Sequence, residues 1–131
     1  MNEPKYNFDA CQECYRLCLT MVNHCKAKGG PQAGIKQIRL LLDCAEISQT
    51  AADFLPRGSD LHLTICNACA VVSLKCAAAC EEFINDELMQ ACAAACHRCA
   101  EFCQNLVANA NERKLMYSYE ASLAASNTMT R

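Results

Sequence analysis

No stretch of this chain reads as a phosphate-binding footprint, a membrane span or a catalytic constellation. Twelve Lys and Arg stand against 14 Asp and Glu, and no basic block is longer than two residues, so nucleic acid is a poor partner. No uninterrupted apolar run approaches the roughly 18 residues that would cross a bilayer. The beginning, MNEPKYNFD, carries two acids and no hydrophobic h-region. The expectation is a cytoplasmic chain with no membrane partner. No Ser/His/Asp set, glycine-rich phosphate loop or paired carboxylates stand out, so an enzyme is not expected. At 131 residues the chain has room for one domain with one core.

What is there in excess is cysteine, 13 residues of 131, above the roughly 8–10% that signals a disulfide scaffold. That scaffold fails on three counts. Thirteen thiols cannot all pair within one chain, and a cytosolic chain is held reduced. Helical neighbours three or four positions apart also have Cβ atoms about 5–6 Å apart, whereas a disulfide requires about 3.5–4.5 Å.

The thiols are in register. Cys11, Cys14, Cys18, Met21 and Cys25 recur at steps of 3 and 4, one face of a helix over 8–27. The breaker cluster 28–34 makes a loop. A second helix, 35–55, has its seam at Ile38, Leu41, Ala45, Ser48, Ala52 and Leu55, with Cys44 beside it. Pro56-Arg57-Gly58 stops it, and Ser59 or Asp60 supplies the next N-cap. A third helix, about 60–84, aligns His62, Cys66, Cys69, Ser73, Cys76, Cys80 and Phe83. Asn85-Asp86 is a corner with capping chemistry, short enough to force an antiparallel return. The fourth helix, 87–112, aligns Met89, Cys92, Cys96, Cys99, Cys103, Leu106 and Ala110, the heptad spacing of left-handed bundle packing. The fold class is all-α, an antiparallel up-down-up-down four-helix bundle with a cysteine-lined core. A tail, 113–131, is expected as a short helix or a disordered end. Helix 2 is also apolar along Leu40, Ile47 and Phe54, which reads either as a homo-oligomer interface or as a wide core face.

Twelve cysteines on three inward seams are hard to explain as apolar filler, since Ala or Val would pack without the oxidation risk. Thiolates select Cu(I), Zn(II) or iron–sulfur clusters. Zinc sites commonly place Cys-x-x-Cys on a turn, and clusters likewise favour loops. Here Cys14/Cys18, Cys76/Cys80, Cys92/Cys96 and Cys99/Cys103 are Cys-x-x-x-Cys pairs inside continuous helices, which suits the two or three soft ligands of Cu(I). A dozen buried thiolates would be intolerable uncompensated. Each Cu(I) offsets one charge, so the content approaches one copper per core thiolate, a store rather than a cofactor site. Met21 and Met89 share one end as candidate thioether ligands, with His24 one position off the seam there. His62 is a candidate terminal ligand at the other end, and Cys44 joins the nearest cluster or packs as filler. His97 should point outward. The alternative is a thiol-based redox-responsive or zinc-binding helical interaction protein.

With CQECYRLC, the ICNAC and KCAAAC stretch and ACAAACHRCAEFC laid out, the chain resembles the bacterial copper storage protein family over about residues 8–110. The resemblance implies a bundle filled with Cu(I), commonly a homotetramer, with Cys-x-x-x-Cys pairs as main sites. In exported members a methionine and histidine cluster at the mouth is the route for copper, and the placement of Met21 and His24 is similar to it. Cytosolic members usually carry more thiols, and Met21, Ser48, Ser73 and Met89 stand here where a denser member has Cys. The tail has no counterpart in the resemblance.

Overall fold

Steps of three and four along the chain become four helices, α1 (Asp9–Lys28), α2 (Ile35–Phe54), α3 (His62–Glu81) and α4 (Glu87–Met129), with a 3-10 turn at Gly30–Ala33. The computed structural model describes residues 9–129, with side chains to residue 126. Phe8, expected to open helix 1, and the last two residues of the tail lie outside the described residues. The helices pack in chain order, α1 on α2, α2 on α3 and α3 on α4, and α1 closes on α4. That is the cyclic arrangement of an up-down-up-down bundle. Among the described residues there are no strands.

The connections explain themselves chemically. Gly29, at φ 72°, takes the left-handed conformation that ends α1, and its N–H donates to the Cys25 carbonyl at 3.1 Å. After α2, Gly58 at φ 61° turns the chain, its N–H donating to Leu55 O at 3.1 Å. Ser59 contributes there, but ahead of the helix. Its Oγ accepts from Leu61 N at 3.1 Å and its carbonyl from His62 N at 3.1 Å, so α3 begins at His62 behind Leu61 rather than near residue 60. Asp86 caps α4, its Oδ1 accepting from Leu88 N and Met89 N at 3.1 and 3.2 Å. At the far side of the same corner, the Gln90 amide lies within donating distance of the carbonyls of Cys80, Glu81 and Phe83, adding to the backbone bonds that Phe83 N and Asp86 N donate to the Cys80 and Phe83 carbonyls. Phe83 therefore lies in the turn past α3, still packed against the core.

Two elements differ from their sequence reading. α4 does not stop near 112 but runs unbroken to Met129. No Gly or Pro follows Pro56 and Gly58, and the Ala, Glu, Arg, Lys, Leu and Met of this stretch are good helix formers. α3 has a mean hydropathy of 1.7 over an 18-residue window, long and apolar enough by length and composition to cross a membrane. That value arises because cysteine and alanine count as apolar. Cys66, Cys69, Ala70, Cys76, Ala77 and Cys80 turn it into the bundle wall instead.

Candidate metal centre

All thirteen cysteines are buried and unpaired, each with 0% of its surface exposed. The sulfurs meet across helices. Cys14 Sγ lies 3.6 Å from Cys44 and 3.7 Å from Cys96, and Cys18 lies 3.8 Å from Cys96 and 3.9 Å from Cys92. Lower in the bundle, Cys99 stands 3.5 Å from Cys69 and 3.6 Å from Cys11. Two groups of four result, Cys14/Cys18/Cys44/Cys96 and Cys11/Cys69/Cys99/Cys103, each with all sulfurs within 4.8 Å of one another. Two of the four Cys-x-x-x-Cys pairs, Cys14/Cys18 and Cys99/Cys103, sit whole inside these groups. Cys76/Cys80 does not, and Cys92/Cys96 is divided. Cys44, placed beside the α2 seam by periodicity, faces inward and completes the first group, 3.9 Å from Cys96.

Between the groups sit two hydroxyls. Ser48 and Ser73 are fully buried, and Ser48 Oγ donates to Cys14 Sγ at 3.4 Å. It also lies 3.7 Å from Cys99 and 3.8 Å from Cys69. Ser73 Oγ is 3.8 Å from both Cys44 and Cys69. The seam positions lacking a thiol thus carry the polar contacts of the core. Gln37, nearly buried, adds an amide 3.8 Å from Cys80.

Contact among sulfurs sorts the thiols into two kinds. Cys44, Cys92 and Cys99 are held far below the usual thiol range, chiefly by hydrogen bonding with Cys14, Cys18 and Cys103 respectively. Cys76 is lowered to about 6, first by Cys18, and Cys66 is lowered by Cys103. Their neighbours move the other way. Cys18 and Cys96 are raised chiefly by Cys14, Cys80 by Cys76, and Cys103 by Cys11. Contact between neighbouring thiols thus pulls their ionisation in opposite directions.

One end of the core differs from the other. Where α1 ends and α4 begins, Cys25 Sγ meets Met89 Sδ at 3.5 Å, and Met21 is buried on the same stretch of α1. His24 is part-buried beside them, its Nε2 2.7 Å from Asp86 Oδ2, which also accepts from Gln32 Nε2 at 2.7 Å. These two donors, Gln32 first, hold the Asp86 carboxyl well below the usual range. Sequence reasoning saw Asp86 only as a cap. Its partners lie 54 and 62 positions away, and only the antiparallel return of the helices brings them in. At the opposite end His62 is half-buried, its Nδ1 2.7 Å from the Ser59 carbonyl oxygen. His97 is exposed and paired with Glu81.

The profile of the copper storage protein family matches residues 1–108, and the chain belongs to that family. A protein of known structure from Nitrosospira multiformis is 39% identical, covering 77% of this chain and 91% of its own, with a TM-score of 0.72. Apo-copper storage protein 3 from Bacillus subtilis is 30% identical over 76% of this chain and 94% of its own, TM-score 0.70. The copper storage protein of Streptomyces lividans, in a form loaded with 10 copper equivalents, is 28% identical, over 77% and 80% of the two chains, TM-score 0.69. The S. lividans protein, known also in a form with five coppers, is a cytosolic copper storage protein. The family match ends at 108, so the outer part of α4 lies outside it.

Proposed function

We propose that this chain is a cytosolic copper store that takes up many Cu(I) ions on the thiolates of its bundle core. The observation that carries the reading is the burial of all thirteen thiols, eight of them gathered into two four-sulfur groups. Soft, water-excluded sulfur at this density suits a monovalent soft cation. Each Cu(I) replaces one proton and leaves a neutral unit, so the core fills without building up buried charge. The proposed ligands are the thirteen cysteines, with Met21 and Met89 as weaker thioether ligands at the end where α1 meets α4. His24 and His62 complete the set as terminal ligands. Each uses one ring nitrogen on a neighbour, Asp86 or Ser59, which leaves the other to a metal. The role is holding and release of metal rather than turnover.

The same reading includes a homo-oligomer. Leu40 and Ile47 are half-buried against the core. On another side of α2, Leu42 stays exposed, as does Leu19 of α1, and the two line a cavity of about 430 Å³ between α1 and α2 with Tyr15 and Ala45. Val71 on α3 is 55% exposed. A self-associating bundle would cover these faces.

Replacing the four Cys-x-x-x-Cys pairs by Ala tests the storage role. Copper per chain should fall by about eight equivalents, one per thiolate removed, and cells relying on the protein should lose copper tolerance. Unchanged capacity would contradict the assignment.

A further inference from the structure

We infer that the copper-free protein has a second cargo: each four-sulfur group is a tetrahedral site for one soft divalent cation, Zn²⁺ in the first instance, two per chain. Zinc–thiolate bonds of about 2.3 Å place the four sulfurs of a tetrahedron about 3.8 Å apart. In the first group the sulfur separations from Cys14 to Cys44 and Cys96 and from Cys96 to Cys18 and Cys44 are 3.6, 3.7, 3.8 and 3.9 Å. In the second, Cys99 to Cys69 and to Cys11 are 3.5 and 3.6 Å. No sulfur in either group is more than 4.8 Å from any other. The separations therefore exceed the tetrahedral value of about 3.8 Å by no more than about 1 Å.

A Cys-x-x-Cys turn is the usual way to gather four thiolates, because a bent backbone wraps the ion. Here helix packing does the same work. The first group draws two sulfurs from α1 and one each from α2 and α4. The second draws one each from α1 and α3 and two from α4. Such a site exists only in the folded bundle, so it is preorganised and closed to water.

Charge is the objection to answer. Zn²⁺ held by four thiolates displaces whatever protons the thiols carry and leaves two net negative charges in the site. The serine hydroxyls meet that need. Ser48 and Ser73 lie against sulfurs of both groups, and hydrogen bonds from outside the first coordination sphere are what stabilise an anionic tetrathiolate. Zinc binding requires nothing of the copper reading, and either can fail alone.

The test uses the reduced, copper-free full-length chain under anaerobic conditions. Zn²⁺ is titrated against a chromogenic chelator, and Co²⁺ is substituted in parallel to read coordination geometry. The expected result is two tightly held equivalents per chain and the visible bands of tetrahedral cobalt tetrathiolate. Cys96→Ser and Cys99→Ser should each lose one tight equivalent, with helicity by circular dichroism retained. Ser48→Ala with Ser73→Ala should weaken zinc at least tenfold and leave all thirteen thiols titratable. Failure to retain zinc in a protein that still takes up copper would overturn the inference and leave storage standing. Two equivalents surviving both cysteine variants, or octahedral cobalt spectra, would overturn it as well. A chain that holds neither metal would remove both readings.

Discussion

One helix serves two regions of this molecule that have little in common. In its first five turns α4 presents Met89, Cys92, Cys96, Cys99 and Cys103, every one at 0% exposure, and they form one wall of the metal core. Beyond the family match the same helix carries Leu115, Met116, Tyr117 and Tyr119 at 64–76% exposure. Backbone geometry and helix-forming residues continue without interruption, so secondary structure does not separate core from extension. Register does. Steps of three and four give the inner half a face that other helices can cover, while the outer half has apolar residues and no single stripe. Most helical stability in proteins comes from packing rather than propensity, and the extension continues directly from the packed half of α4.

The largest effect should come from emptying the core wall. Replacing Cys92, Cys96, Cys99 and Cys103 together by Ala removes sulfurs from both four-thiol groups. It should cut copper uptake by about four equivalents or more, read by anaerobic titration. The counterpart is truncation after Asn109. Copper capacity should stay within about one equivalent of the full chain's, whereas circular dichroism should lose the helical signal of the missing residues. Losing copper with the extension would erase the distinction between the two regions.

A smaller effect is expected at the junction where α4 begins. The folded-state pKa of Asp86 is depressed, so its contribution to stability is fully present above about pH 4, the ordinary carboxylate value. It is lost as pH falls from there through the folded value. Thermal melts of the metal-free protein should show that loss. Asp86→Asn, which can still cap the helix but cannot carry the charge that His24 and Gln32 face, should flatten the acid limb and cost about 1 kcal/mol at neutral pH. The smallest change should follow Leu115→Ser with Tyr119→Ser in the extension. Stability should move by no more than about 0.5 kcal/mol, as for exposed positions generally. A larger loss would mean that the extension packs against another chain.

Much of the core was legible because cysteine spacing is itself a geometric statement. Cys11, Cys14, Cys18 and Cys25, or Cys92 through Cys103, can share a face only if that face is buried. What escaped were contacts made across helices. Cys44 lay off a seam drawn through Ile38 and Leu41, yet the inward face of α2 runs through Gln37, Leu41, Cys44 and Ser48, a rotation that periodicity in a broadly apolar helix does not resolve. The division into two four-sulfur groups depends on the vertical offset between helices, which no single segment encodes. The link from His24 through Asp86 to Gln32 joins three segments; His24 gave a signal only as a candidate ligand and Asp86 only as a cap. The length of α4 was missed for the opposite reason, since composition favoured helix there but no seam marked it as part of the fold.

The measurement closest to the central claim is an anaerobic Cu(I) titration of the fully reduced chain against a competing chromogenic chelator. Saturation near one copper per thiol, on the order of ten or more ions per chain, is the expected result. Saturation at one or two equivalents would contradict it, because it would mean that the buried thiols serve packing or a single site rather than storage.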